Sequence, residues 1–334
     1  NQILDELAEL VDITYSEDIY GGVSVRIEGV DFVKRDRCYN IDLKIDGTTG
    51  FYTPFWPQNA SYKILDDGTK EYNIDGAEVF NLQREISSDL DTDIGSLKAT
   101  LLARGDHRAD YRDIDEANYD NDVSQSIVMN IQGEFDQLVH NVVTKVNKIL
   151  EDAGYMYNSD GTPMQLFEKI TTPGYTQKED GTWEYNKEDW DRPDSLYTLK
   201  NLRINEELLQ SPSKLGFKKE DNSVDYDTAE ALKAAFTEES YYLNPNVKKK
   251  TTFIDYYTDM VAQVANSGYV YRSISTNQQA TVNNTYSARE QVVGVSSDEE
   301  LSNMIKFQNA YNASSRYINV VSEMLEHILN TLGM

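Results

Sequence analysis

The stretch "MIKFQNAYNASSRYINVVSEMLEHIL", residues 304–329, decides how the chain is organised. Met304, Phe307, Tyr311, Ile318, Val321, Leu325 and Ile328 recur at alternating intervals of three and four, Leu332 continues the series, and Ser314 holds its one polar place. A two-in-seven apolar stripe has the width of a coiled-coil seam, whereas a helix lying on a globular core shows a broader face. The pattern therefore predicts a helix whose partner is another narrow helix, and these eight apolar residues form a candidate assembly seam. The competing reading is an ordinary terminal helix packed on the chain's own core. Ser297 is the expected N-cap, with Glu300 three residues on in capping-box spacing, and Asp298, Glu299 and Glu300 suit the positive end of the helix dipole. Gly333 stands where a C′ glycine ends a helix. At 1.5 Å per residue, 298–332 would be a rod of about 50 Å.

Working outward, Leu4, Leu7, Ala8 and Val11 have helical spacing up to about Asp12. In "GGVSVRIEGVDFV" Val23, Val25 and Ile27 alternate with Ser24, Arg26 and Glu28, which predicts a half-buried hairpin. Residues 36–85, with "IDGTTG", "DDGTKEY", Pro54 and Pro57, read as a β-rich insert. Ile127, Ile131, Phe135, Leu138, Val142, Val146 and Ile149 predict a helix over 124–152 with a core-width face, and a second helix is expected over 95–117. Phe253, Tyr257, Met260, Val261 and Val264 predict another, followed to about 290 by a polar stretch that could continue or break it.

The predicted fold class is mainly α: an elongated helical bundle with a long terminal coiled-coil-type helix and small β-rich inserts. Its expected divisions are 1–35 (helix plus hairpin), 36–93 (β-rich insert), 94–154 (long helices), 155–250 (mixed α/β insert), 251–296 (returning helix) and 297–334 (assembly helix). Trp56, Trp183 and Trp190 all fall outside the long helices. The inserts are accordingly expected to project from the helical part, so that 174–192 could be exchanged for a short linker.

Over 334 residues the formal net charge is −26. Phosphate binding needs clustered Lys and Arg, so this balance argues against nucleic acid and against an anionic membrane surface. Cys38 is the single cysteine, which excludes an internal disulfide. The opening "NQILDELAELVDI" lacks the basic-then-apolar order of a signal peptide, and no stretch approaches the roughly 18 apolar residues of a membrane span.

Catalytic readings find little support. Tyr and Trp together with abundant carboxylates leave open a carbohydrate-active or carbohydrate-binding domain, but among 57 acidic residues chance pairs are inevitable. A cleft with two convergent carboxylates near Trp183 or Trp190 would favour it. His107, His140 and His327 are scattered with no Cys nearby, and His107 with Asp110 reads as a salt-bridged face beside Arg104, Arg108 and Arg112. "NSDGTPMQLFE" fails as a calcium loop, because Gly161 at position six puts Met156 first and Glu168 one place late; it reads as a turn. Neither a phosphate-binding loop nor a G-x-S-x-G elbow is present, and no cofactor is expected.

"GVSSDEELSNMIKFQNAYNASSRYINVVSEMLEHILNTLG", residues 294–333, resembles the C-terminal segment of the bacterial flagellar axial proteins of rod and hook, most closely those of the hook–filament junction. The resemblance rests on Gly294, Val295, Ser296, Asp298, Glu299 and Glu300, then Phe307-Gln308, Ala310-Tyr311, Ala313, Arg316 and Met324-Leu325. "LDELAELVDITYSEDIYGGVSVRI" and "LKATLLARGDHRADYRDIDE" resemble interior segments of the same family. It implies a non-enzymatic structural subunit acting by self-assembly, with copies in a ring, the hook protein on one side and the next junction protein on the other. It also implies an export chaperone on the C-terminal helix, passage through the flagellar type III pathway, and an extracellular place in the flagellum. An N-terminal segment ahead of residue 3 would supply the helix that pairs with the seam. Hook and distal-rod proteins are the alternatives within the family.

Overall fold

The computed structural model describes residues 2–82, 84, 86–90, 92–115, 117, 119–219, 221–294 and 296–332, with the side chains of 88, 293 and 332 left aside. The chain divides into two units, residues 1–264 and 265–334. About half of it is helical, the two longest helices lie at the C-terminal end, and the sheets are small.

The first unit opens with α1 (Gln2–Leu10) and an antiparallel meander of β1 (Ile13–Glu17), β2 (Val23–Ile27), β3 (Val30–Lys34) and β4 (Arg37–Cys38), so the expected hairpin gains two flanking strands. Two more hairpins follow, β5 (Asp42–Ile45) with β6 (Tyr52–Phe55) and β7 (Ser61–Ile64) with β8 (Lys70–Asn73). Directly after β6, Trp56 is fully buried against Val11, Ile27, Val79 and Phe80, and its ring centroid lies 6.3 Å from that of Phe32. The β-rich stretch thus shares one core with the helix and sheet that precede it.

The helix expected over 95–117 is corrected: α2 spans only Ser96–Arg104. Gly105 stops it at φ 79°, where a Cβ would lie 2.0 Å from Met129 Sδ. Asp110 then caps a short 3-10 turn at Tyr111–Asp113, and a π turn covers Tyr119–Val123. Helix α3 (Ile127–Ala153) is the expected long helix, with the Ser126 side chain accepting from Met129 N and Gly154 left-handed at its end.

Its buried face, however, differs from the apolar line read in the sequence. Leu138 and Val146 are buried as expected, yet Phe135 is exposed, and the buried set includes Glu134, Asp136 and Asn147. These polar residues bind loops to the helix. Asn147 accepts from Leu166 N (3.0 Å) and Phe167 N (3.1 Å) and donates to Phe167 O (2.8 Å). Asp136 accepts from Tyr111 N (3.0 Å) and Leu199 N (2.6 Å).

Around α3 run β9 (Phe167–Glu168), β10 (Tyr175–Gln177), β11 (Trp183–Tyr185) and β12 (Arg203–Ile204), then α4 (Glu206–Gln210) and α5 (Tyr226–Thr237). β10 pairs with β11 and β9 with β12, both antiparallel. The tips at Leu65–Thr69, Asn158–Thr162 and Lys178–Thr182 share one design: Gly at φ 82–84°, and an Asp carboxylate accepting from both N and Oγ1 of the following Thr. Asp221, Asn222 and Ser223 repeat it with Asn at φ 64°.

Helix α6 (Phe253–Val293) runs unbroken through the polar stretch that the sequence left undecided. At its root Phe253, Tyr256 and Met260 pack with Leu138 and Leu243.

The second unit holds the rest of α6 and helix α7 (Ser297–Leu332). The N-cap moves by one residue: Ser296, not Ser297, precedes the helix, its Oγ accepting from Glu299 N (3.4 Å) and its carbonyl from Glu300 N (2.9 Å). The expected C′ residue, Gly333, lies outside the described residues.

Candidate assembly surface

Because α7 is one continuous helix, its heptad spacing aligns Met304, Phe307, Tyr311, Ile318, Val321, Leu325 and Ile328 along a single seam. All seven side chains are exposed, from 37% at Val321 to 75% at Tyr311. Leu332 closes the series by position, its side chain lying outside the described residues. Tyr317 and Met324, seven residues apart, flank one side of the seam, while Leu301 and Leu329 flank the other; all four are exposed. Their heptad spacing from one another, seven residues between Tyr317 and Met324 and 28 between Leu301 and Leu329, is the signal in the sequence that marks them. They widen the apolar surface beyond the seam positions themselves.

The energetics run against such a helix standing alone. Full burial of each large seam side chain is worth about 1.5–3 kcal/mol, whereas fixing the backbone costs about 1–2 kcal/mol per residue. Helical hydrogen bonds offset part of that cost, and an isolated helix remains marginal. With the seam in water, the first of these contributions is largely unrealised.

The residues weighed for chemistry are engaged in structural roles. His107 contacts Asp106 (2.6 Å) and Asp113 (3.2 Å) rather than Asp110, and these carboxylates raise it to about 10. Asp110 instead receives the guanidinium of Arg112 at 2.7 Å, and Arg104 turns away to Tyr52 O and the Phe51 ring. The expected row of cations therefore does not form, since the helix that would have carried it ends at Arg104. The Asn158–Thr162 segment is a turn, as read, with Asp160 committed to Thr162. Among the described residues no group of three or more His, Cys, Asp or Glu side chains gathers as a metal site.

His140 meets Glu188 at 2.9 Å, and Tyr111 stacks on its ring at 3.9 Å between centroids. Glu188 also accepts from Tyr197 N (2.6 Å) and the Tyr111 hydroxyl (3.3 Å). Burial works to raise the Glu188 carboxyl, but the bonds from His140 and Tyr197 N hold it below its ordinary value. Trp190, edge-on to Tyr111, accepts from Arg112 through its carbonyl (2.8 Å). The base of the 174–192 segment is thus bound to the helical part, and the expected freedom to exchange it narrows to its tip.

Trp183 lines a cleft that also holds Glu168 and Glu207. Both carboxylates face cations, Glu168 on Arg203 at 3.0 Å and Glu207 on Lys214, whose hydrogen bond holds Glu207 below its ordinary value. Glycoside hydrolysis in its common form needs one carboxyl raised to act as an acid. Glu207 is shifted the opposite way.

Comparison with known proteins agrees with the resemblance read from the C-terminal run. A family model described as "Flagellar basal body rod FlgEFG protein C-terminal" matches residues 291–331. Flagellar hook-associated protein 1 of Bacillus subtilis is 33% identical over 86 residues, covering 26% of this chain and 17% of that relative. Flagellar hook-associated protein 1 of Salmonella typhimurium is 30% identical over 79 residues, 24% of this chain and 14% of that relative. The chain is similar to these flagellar proteins over a limited part of its length and of theirs. No helix among the described residues is long and apolar enough to cross a membrane.

Proposed function

We propose that this chain is a structural, non-enzymatic subunit of the bacterial flagellum at the hook–filament junction, working by self-assembly. The observation that carries the reading is the continuous line of exposed apolar side chains on α7, within the segment that matches the flagellar rod family. In the assembly this seam is buried against partner helices, and burial supplies the stability the helix lacks alone. Copies of the chain form a ring with the hook protein on one side and the next junction protein on the other. An export chaperone covers the C-terminal helix before the chain leaves the cell through the flagellar type III pathway to its extracellular place. The elongated helical bundle and the six divisions of the chain belong to this reading.

A hook or distal-rod subunit is the second reading, favoured by the rod-protein description of the matching family. An epitope inserted at the exposed Lys178–Thr182 tip separates the two in flagellated cells. Gold labelling confined to one band where hook meets filament supports the junction. Label along the hook or within the rod overturns it in favour of the second reading.

A further inference from the structure

Between the Asn158–Thr162 turn, the β10–β11 hairpin and the start of α4 lies a cleft of about 450 Å³, within the range of small-molecule sites. The hairpin register places Tyr175 and Trp183 on one face, because Tyr175 pairs with Tyr185 and Gln177 with Trp183. Trp183 leans over the turn, its Nε1 3.9 Å from where a Cβ on Gly161 would stand. Two buried amides stiffen the opposite wall: Asn205 donates to Asn158 Oδ1 (3.0 Å) and Gln165 O (2.9 Å), and Gln165 accepts from the Tyr197 hydroxyl (3.3 Å).

The charges of the cleft are largely spent on one another. Arg203 is held by Glu168, Glu207 by Lys214, and Asp160 by its own turn. Lys169 is buried, donating to Asn186 O (3.2 Å) and Ser195 O (3.0 Å). Asp160 and Glu206 make no ion pair among the described residues, and of the two only Glu206 is left without a side-chain hydrogen bond there, Asp160 accepting from Thr162. An anionic ligand would need a free, accessible cation, whereas of the described cations of the cleft Arg203 is ion-paired and Lys169 is buried on two carbonyls. An apolar ligand would need an apolar wall, whereas this one is mostly amide, carboxylate and hydroxyl.

From this juxtaposition of an aromatic face, rigid planar amides and one free carboxylate, we infer that the cleft binds a neutral saccharide. The C–H face of a sugar ring rests on Trp183, and its hydroxyls bond to Glu206, while the buried amides hold the wall in place. The cleft offers no pair of unengaged carboxylates for hydrolysis, since Glu168 is ion-paired to Arg203, Glu207 to Lys214, and Asp160 is bonded to Thr162. The inference is independent of the flagellar reading, because no residue of α7 takes part.

The test titrates the full chain with neutral tetrasaccharides of glucose, N-acetylglucosamine and mannose up to about 10 mM, near the weak end of specific binding. Tryptophan fluorescence and calorimetry report the result. At least one sugar is expected to bind, with affinity falling about tenfold or more in Trp183→Ala and in Glu206→Ala. Affinity is expected to stay unchanged in Trp190→Ala and largely preserved in Trp183→Tyr, with circular dichroism confirming that each variant folds. Absence of binding by all three sugars overturns the inference. So does binding that Trp183→Ala leaves intact, or preferential binding of tetralysine, which would make the cleft an acidic peptide site.

Discussion

Glu134 stands fully buried in the first half of α3, its Oε1 accepting from Asn244 (2.8 Å) and Gln263 (3.1 Å) while Oε2 finds no partner within hydrogen-bond distance among the described residues. Burial raises its carboxyl above the ordinary range, with the amide donors opposing the shift. A carboxyl raised in the fold adds stability below its unfolded value, about 4.3, and loses it as the pH climbs through the folded value. Glu134→Gln keeps the acceptor and removes the ionisation. The variant should melt higher than the parent at pH 8, by about 1–3 kcal/mol or a few degrees, and the gap should close near pH 4. An equal gap at both pH values would show that Glu134 is not titrating. Glu188 has the opposite sign: its lowered carboxyl contributes above the ordinary carboxylate range and is lost as the pH falls through the folded value. Glu188→Ala strands His140, the Tyr111 hydroxyl and Tyr197 N, and should cost about 2–4 kcal/mol at pH 7. In melting curves against pH its deficit should shrink toward pH 3. These residues were not legible in the sequence, because a polar side chain on an amphipathic helix reads as solvent-facing. Only the loops that fold back onto α3 turn Glu134, Asp136 and Asn147 inward.

Among the elements, those with dense local signals were read best. The Asp-Gly-Thr tips were legible as turns because the chemistry is complete within five residues: a glycine for the left-handed position and a carboxylate for the Thr that follows. Gly181→Ala forces a Cβ into φ 84°, costing about 1–2 kcal/mol. Deleting Lys178–Thr182 in favour of a two-residue Asn-Gly turn should leave the melting temperature within a few degrees of the parent. Removing all of 174–192 should unfold the surroundings of α3, because Glu188 goes with it. The limits of α3 were legible from its period, and the stop of α2 at Arg104 was written in Gly105, a C′ glycine whose place the close approach of Met129 also requires. α6 continued through residues 265–293 although apolar periodicity ended there, because Asn, Gln, Ser and Thr lower helix propensity without forbidding it. Hydrogen exchange should separate the helices: α3 protected close to the global limit, α7 exchanging within one to a few decades of an unfolded helix.

For the whole molecule, a net charge of −26 and an exposed apolar seam are complementary. In the proposed assembly the charge keeps free copies apart, and the seam joins helices when geometry brings them into register. The spacing of the seam residues was legible in the sequence, and α7 as one helix sets them in line. What the sequence could not supply was the first unit's dependence on buried polar contacts, or the cleft beside Trp183, both of which arise from segments distant along the chain. The most direct measurement of the central claim, that the α7 seam serves assembly rather than the chain's own core, is the double variant Ile318→Asp with Leu325→Asp. Thermal melting of the purified chain and filament growth in cells that carry it as their only copy are measured together. The account predicts a melting temperature within a few degrees of the parent and no incorporation at the junction, hence no filament. Cooperative unfolding of the purified variant, or normal filaments on cells that express it, would contradict the account.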